Sequence, residues 1–445
     1  MIMPTDRRRF LARLAAYCAA AGVPAITLAD DDDRRRRPRP GTQAPTLPAT
    51  GLSGRVVVVG GGMSGAAAAK FLRLWGGSGV QVTLVEREAA YTSNILSNLV
   101  LNGSVQMPAL AFDHGKLASA YGVGLVRGEA VAADPVARTL TVATASGPRT
   151  LAFDRLVVAP GIDFDYPEGL ATPEAQALVP HAWKAGAQTA ALRDRIRAMP
   201  AGGTFIMTVP PAPYRCPPGP YERACVVADW LKRNKPGSKV VVLDANPAIT
   251  AERETFTHAF GVTHAGVIDY VPDAPVVRVD APAGTIHTGM GAFRGDVLNV
   301  IPTNVGPRLL ADLGLANAAR GFAAVDVLGY ESTAMPGFHV IGDASATTQP
   351  KAGHIGNQEG KVCADAILRI LGGGAPDPAP VTNSSCYSPI TASTASWLTA
   401  VFAYDPATRT MKAVPGASGE ARSASKDHYE DMFVWFRTLM GDTFA

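Results

Sequence analysis

The sequence predicts an α/β fold of two Rossmann-like dinucleotide-binding lobes followed by a C-terminal α+β interface domain. Three observations predict it. A glycine-rich strand–turn–helix lies near residue 55, a second strand–helix–strand unit begins near residue 203, and a strand running into Gly342-Asp343 returns after it. The composition, 47% hydrophobic and 18% charged over 445 residues, suits a multi-domain globular chain with ample core.

Arg55 to Val59 is a β-branched run that reads as a buried parallel strand, and Gly60-Gly61-Gly62-Met63-Ser64-Gly65 follows at once. Ala66 to Trp75 is helical in composition, and Val80 to Val85 reads as the next strand, ending at Glu86. This is one βαβ unit carrying a dinucleotide fingerprint. Gly60 allows the tight turn, Gly62 lets the backbone approach a pyrophosphate, and Gly65 lets helix and strand pack closely. The helix N-terminus offers N–H groups to phosphates. Glu86 is placed to accept bonds from ribose hydroxyls.

Leu151 to Pro160 reads as a strand ending in Val158-Ala159-Pro160-Gly161, and Gly337 to Ala344 as another ending at Gly342-Asp343. Both segments resemble those of two-dinucleotide-domain flavoproteins of the glutathione-reductase type. The resemblance implies that Ala159, Gly161, Gly342 and Asp343 border FAD, with Asp343 on the ribityl chain; a plain Gly-Asp turn is the alternative. Gly353 to Leu371 reads as a helix. Lys351 and Gly353 lie beside the flavin, or Lys351 is solvated.

Between these segments, Gly203 to Val209, Tyr221 to Arg233 and Lys239 to Leu243 read as strand, helix and strand. Their first connection, Pro210 to Pro220, is proline-rich. Prolines remove N–H donors and fix φ, so this loop cannot wrap a pyrophosphate. The second lobe is expected to keep the fold without a nicotinamide site, and electrons to leave by another route.

These readings divide the chain into a targeting segment (1–29), a disordered linker (30–51), a first part of the FAD domain (52–182), a second Rossmann-like domain (183–299), the rest of the FAD domain (300–372) and a C-terminal domain (373–445). Asp6-Arg7-Arg8-Arg9-Phe10-Leu11 resembles the twin-arginine export motif, and an alanine-rich apolar run follows it, too short and mild to span a membrane. A basic tail is the bland alternative. Export makes the location periplasmic. The net charge of +3 owes four arginines and one aspartate to this segment, so the remainder is balanced and nothing favours nucleic acid as a partner.

Cys18 lies in the targeting segment, leaving Cys216, Cys225, Cys363 and Cys386. No Cys-x-x-Cys-His or Cys-x-x-Cys occurs, so neither c-type haem nor a metal site is expected in this chain. Cys225 and Cys363 sit on helices in apolar surroundings and read as core residues. Cys216, between Arg215 and Pro217 and ahead of a helix, has neighbours that favour thiolate. Spacing alone does not show that Cys216 and Cys386 meet, and a structural disulfide or two unpaired buried thiols are the alternatives to a redox role.

Arg215-Cys216-Pro217-Pro218-Gly219-Pro220-Tyr221-Glu222-Arg223 closely resembles a signature of the flavoprotein subunit of flavocytochrome c sulfide dehydrogenase. So do Val157 to Phe164, His181 to Gly186, Gly360 to Cys363 and Asp442 to Phe444, which together span nearly the whole chain after residue 55. The resemblance implies that Cys216 and Cys386 form a redox-active disulfide beside the flavin, with Glu222 as a proton acceptor. Hydrosulfide would open the disulfide to a persulfide, and the freed thiolate would reduce FAD, which would pass electrons to a separate c-type cytochrome. Many relatives tether FAD through a cysteine after the second strand. In the segment Tyr91 to Asn98, Asn94 holds that place, so FAD is expected to be non-covalent, with Asn94 and Asn98 lining it. Other readings are a sulfide:quinone oxidoreductase, an NAD(P)H-dependent disulfide or persulfide reductase, which the proline loop disfavours, and a flavin-bearing redox sensor. The histidines show no metal spacing; His339 reads as a core residue and His181 is given no role. Acidic residues such as Asp427, Glu430 and Asp431 beside the C-terminal aromatics argue against a membrane-binding helix.

Overall fold

The computed structural model describes residues 45–445. The first lobe begins with strand β1 (Gly54–Val59), helix α1 (Met63–Gly76) and strand β2 (Val80–Glu86). Strands β3 (Gly124–Arg127) and β4 (Arg155–Val158) follow. The chain then builds the second lobe from β5 (Thr204–Val209), helix α2 (Gly219–Asn234), β6 (Lys239–Asp244), β7 (Ile268–Val271) and β8 (Val297–Asn299). It returns to the first sheet through β9 (Val325–Asp326), β10 (Glu331–Ser332) and β11 (Phe338–Val340), then enters helix α3 (Gly353–Leu371). The C-terminal part is an antiparallel sheet, β12 (Val381–Pro389), β13 (Ala395–Asp405) and β14 (Thr410–Ala413), and helix α4 (Lys426–Phe444).

The first sheet runs β9-β10-β11-β4-β1-β2-β3, with β11, β4, β1, β2 and β3 mutually parallel. The second runs β7-β6-β5-β8, all parallel. Val56 to Val59 are buried on both faces of β1, as a continuous β-branched run in a covered parallel sheet should be. The protein is thus an α/β molecule with two Rossmann-like lobes.

Helices α1 and α3 cross closely. Ala66 to Ala69 are fully buried, and a Cβ on Gly360 would lie 2.5 Å from the Ser64 carbonyl oxygen. Small residues on both helices let the backbones touch, which sets the start of α3 beside the fingerprint loop. The C-terminal helix packs Met432, Phe436, Leu439, Met440 and Phe444 into the same core. Buried Lys70 donates to the carbonyls of Gly441, Asp442 and Ala445, satisfying groups that a helix end leaves unpaired.

Two differences from the sequence reading have local causes. The expected strand Leu151 to Pro160 is two: Gly147–Ala152 pairs antiparallel with Thr139–Thr144, and only Arg155–Val158 joins the first sheet. Asp154 separates them, its carboxylate accepting from the Arg55 amide at 2.7 Å. Residues 45–51, placed by sequence in an unstructured linker, have no helix or strand, yet Leu47 packs on the first core and the Thr50 hydroxyl donates to the Gly76 carbonyl at 2.6 Å. The export motif and the linker through residue 44 lie outside the described residues. No described helix is long and apolar enough to cross a membrane.

Candidate functional site

Because β1, β2, β4 and β11 are adjacent and parallel, their carboxyl ends open on one edge of the first sheet. That edge is where α/β sheets bind ligands. It gathers Gly60 after β1, Glu86 at the end of β2, Ala159 and Gly161 after β4, and Gly342 and Asp343 after β11. Gly60 has φ +94°, and a Cβ there would lie 2.3 Å from the Ala159 carbonyl oxygen. A Cβ on Gly65 would lie 1.9 Å from the Gly60 oxygen, so the third glycine is fixed by helix–turn packing. Gly62 is different: a Cβ would meet only the Tyr91 ring, at 3.7 Å. Its glycine suits a ligand backbone approaching from outside. The intervening Gly61 also has a reason that sequence reading missed. A side chain would strike His114, whose Nε2 lies 2.8 Å from the Gly61 carbonyl oxygen.

Glu86 accepts from the Gly61 amide at 2.6 Å and the Glu88 amide at 2.8 Å, so its carboxylate is held at the fingerprint loop. Gly342, at φ +72°, donates its amide to buried Glu359 at 2.5 Å. Burial pushes the Glu359 carboxyl up to about 8. These glycines, the first-turn N–H groups of α1 and the acid at the end of β2 fit the pyrophosphate and ribose of FAD. Lys351 is half-buried, with its ammonium bonded within the protein: it donates to the Asp343 and Ser345 carbonyls, each at 2.8 Å, and lies 4.0 Å over the Phe322 ring.

The cysteines meet this edge through the segment that follows the Gly-Asp loop. The Cys216 amide donates to the Lys351 carbonyl at 2.7 Å. On β12, the Ser385 amide donates to His354 Nδ1 at 3.0 Å, fixing Cys386 beside the start of α3. Cys216 is held at φ +58°, a left-handed conformation that costs a non-glycine residue about 1–2 kcal/mol. Its carbonyl accepts from the Gly219 amide at 2.9 Å, so bonds on both sides hold the strained turn. Both cysteines are free thiols in this structure, Cys216 lies within electrostatic reach of Cys386, and Glu222 bears on both.

The expectation of an easily formed Cys216 thiolate is corrected. Burial pushes this thiol well up, Glu222 and Cys386 add to the shift, and Arg215 offsets only part of it. Arg215 is also turned to the Trp183 carbonyl. Cys386 is pushed up to about 12, first by burial and then by Glu252. Glu222 is pushed up to about 8 by burial, against the Asn98 amide that donates to it at 2.9 Å. It therefore carries its proton at neutral pH and gains acceptor capacity as the pH approaches 8.

Asn98, expected at the flavin, has its side-chain amide committed within the protein. It donates to the Gly219 carbonyl at 3.1 Å as well as to Glu222, and accepts from Arg223 Nε at 2.9 Å. Arg223 is the residue sequence reading passed over. It is 1% exposed and meets neutral acceptors: the His181 and Ala182 carbonyls at 2.8 and 2.7 Å and Asn299 Oδ1 at 2.9 Å. Its guanidinium lies 4.9 Å from the Trp183 ring centre. Burial lowers it to about 9, which leaves it cationic at neutral pH. His181 accepts from the Trp183 amide at 2.9 Å and is lowered to about 3, so it is neutral. Asn94 Oδ1 accepts from the Ala185 amide at 2.8 Å.

Cys225 and Cys363 are fully buried core residues. His339 is also buried; its Nδ1 meets the Gly329 carbonyl at 2.8 Å while Nε2 has no protein partner. In the second lobe, Asp244 ends β6 where a ribose-binding acid stands in a nucleotide-binding unit. Its carboxylate is filled by the Tyr221 and Tyr270 hydroxyls at 2.7 and 2.8 Å and by the Asn246 amide at 2.8 Å.

Residues 54–195 match the family model for pyridine nucleotide-disulphide oxidoreductases. Residues 189–302 match the central region of the sulfide dehydrogenase (flavocytochrome c) flavoprotein chain, and residues 378–444 the flavin-binding region of flavocytochrome c sulphide dehydrogenase. Among solved structures, the sulfide:quinone oxidoreductase of the hyperthermophilic bacterium Aquifex aeolicus is similar at a TM-score of 0.69 and 17% identity, covering 87% of this chain and 92% of that one. A NAD-dependent persulfide reductase from A. fulgidus is similar at 0.58 and 16%, covering 87% and 77%. Putidaredoxin reductase, in its covalent complex with putidaredoxin, is similar at 0.61 and 14%, covering 86% and 93%. The matches to two separate regions of one flavoprotein, over a fold that these structures share, support a flavocytochrome c sulfide dehydrogenase flavoprotein subunit.

Proposed function

We propose that this protein oxidises sulfide at a Cys216–Cys386 couple and passes the electrons through FAD to a separate c-type cytochrome. The observation that carries the reading is the common anchorage of the two cysteines. Cys216 hangs from Lys351 and the strand of Cys386 from His354, and this four-residue segment follows the Gly-Asp loop at the flavin edge. In the oxidised couple, hydrosulfide attacks one sulfur. The S–S bond breaks, one cysteine keeps the incoming sulfur as a persulfide, and the other leaves as thiolate with the bonding pair. FAD supplies an acceptor that takes electrons in pairs and releases them singly.

The surrounding residues manage proton and charge. Glu222 holds a proton near Cys216 at neutral pH and exchanges it as thiol and thiolate interconvert. Asn98 fixes that carboxyl, and the Arg223 cation fixes Asn98. FAD is held without a covalent bond, Asn94 having no sulfur to offer. Gly60, Gly62, Gly65, Glu86, Ala159, Gly161, Gly342 and Asp343 hold the cofactor. Asp244, filled by tyrosines, and the proline-rich loop support an electron exit other than nicotinamide. The Arg-Arg motif supports twin-arginine export to the periplasm, where such a cytochrome partner resides.

Replacing Cys216 by serine tests the mechanism. The variant should retain FAD but lose at least about 100-fold in turnover with hydrosulfide and cytochrome c, since serine cannot form the reacting S–S bond. Unchanged turnover would overturn the mechanism.

A further inference from the structure

Glu252 has no part in the chemistry described so far. It precedes the short helix Arg253–His258 at φ +47° and is 5% exposed. Its Oε2 accepts from the Ser388 hydroxyl at 2.5 Å, while its buried Oε1 has no hydrogen-bonding partner. Ser388 is two residues beyond Cys386 on β12, so both side chains project from the same face of the strand. Ser396 stands opposite Ser388 on β13. The ionisable groups within reach of Glu252 are Cys386 on β12, Glu222 and Cys225 on α2, and Glu420 beyond β14. Cys225 is buried in the core of the second lobe and Glu420 is exposed.

We propose that Glu252 is a positioning residue for the Cys386 sulfur: its carboxylate, held at the cysteine's strand by Ser388, determines whether Cys386 rests as thiol or thiolate. The inference rests on the reading of Cys386 as half of the redox couple. Two like charges in a buried site disfavour each other, so a charged Glu252 opposes the Cys386 thiolate and a protonated one removes that opposition. Burial brings Glu252 to about 7, so its charge changes near neutral pH. Glu222 bears on Cys216 in the same sense. Glu222 bears on both sulfurs, whereas Glu252 bears on Cys386, so Glu252 is the carboxyl that distinguishes the two.

The test is the rate of iodoacetamide labelling of each cysteine in the reduced holoprotein, read peptide by peptide from pH 6 to pH 9. With Glu252→Gln, Cys386 should label about tenfold faster than wild type at pH 9, where the carboxylate charge is lost. The ratio should fall toward one at pH 6, where wild-type Glu252 is itself neutral, and Cys216 should change little. Glu252→Asp should restore slow labelling. Ser388→Ala, which withdraws the bond favouring the carboxylate, should shift Cys386 in the same direction by less, most visibly near pH 7. It decides the matter if Glu252→Gln does not fold. Equal acceleration of both cysteines, or a Cys386 rate unmoved in the variant that folds, would overturn the proposal. Labelling needs no sulfide, so a protein whose flavin ignores sulfide but whose Cys386 answers to Glu252 would refute the functional reading alone.

Discussion

Asn94 keeps its side-chain oxygen on the Ala185 amide at 2.8 Å, a contact that ties the segment after β2 to the entrance of the second lobe. With no thiol in that segment, acid precipitation should release all the flavin into the supernatant; flavin fluorescence that stays with the denatured chain would contradict this. The same scale shows what a sequence does not disclose. The fingerprint glycines, Glu86, Gly342 and Asp343 were legible because a local motif names them, and they share one edge. The sequence marked Asn98 but not its bonds, because the partners that use its amide, Glu222 and Arg223, lie more than 120 residues away. The burial of Arg223 was invisible, since nothing local distinguishes a solvated helical arginine from one buried against carbonyls. The Cys216 thiolate was misjudged for a related reason. A neighbouring arginine is visible in sequence, whereas burial is not, and burial is the larger effect here.

At the scale of elements, the crossing of α1 and α3 positions both halves of the site. Gly360→Ala places a methyl group 2.5 Å from the Ser64 carbonyl oxygen and 3.0 Å from the Ala68 amide nitrogen, both backbone atoms that cannot swing aside. The variant should lose about 1–3 kcal/mol of stability in denaturant titrations and retain FAD less firmly, because α3 carries His354 and Glu359 toward the cofactor edge. Wild-type stability with full FAD retention would show that the crossing is more pliant than its geometry implies. Helix α3 itself was legible to the residue, being a long amphipathic run with a glycine start. The strand before Pro160 was not, because the turn at Asp154 is made by a side-chain bond to Arg55 across the sheet rather than by glycine or proline. The docking of α4 into the first core was equally hidden: its aromatic residues were evident, but their destination depends on tertiary packing.

Over the whole molecule, burial leaves a characteristic pattern of charge. Glu222 and Glu359 are raised to about 8 and Glu252 to about 7, so each holds its proton more tightly folded than unfolded. Their stabilisation of the fold is therefore lost as pH rises from the usual carboxylate range through those values. His181, lowered to about 3, and His339, lowered to about 4, act in the opposite sense, but only below pH 6.5. Stability should fall most steeply between about pH 6.5 and 8, lowering Tm by a few degrees across that interval. A Tm that is flat or rising there would mean that the buried carboxyls ionise without cost. The same arrangement, with buried thiols and raised carboxyls near the buried Arg223, frames the central claim that Cys216 and Cys386 deliver electrons from sulfide to the flavin. Anaerobic titration of the oxidised holoprotein with hydrosulfide, followed by flavin absorbance, tests it most directly. The account predicts complete bleaching, then full recovery on adding oxidised cytochrome c, with two cytochromes reduced for each flavin. A flavin that stays oxidised under excess hydrosulfide would contradict the central claim, and recovery with a quinone analogue but not cytochrome c would overturn the proposed acceptor.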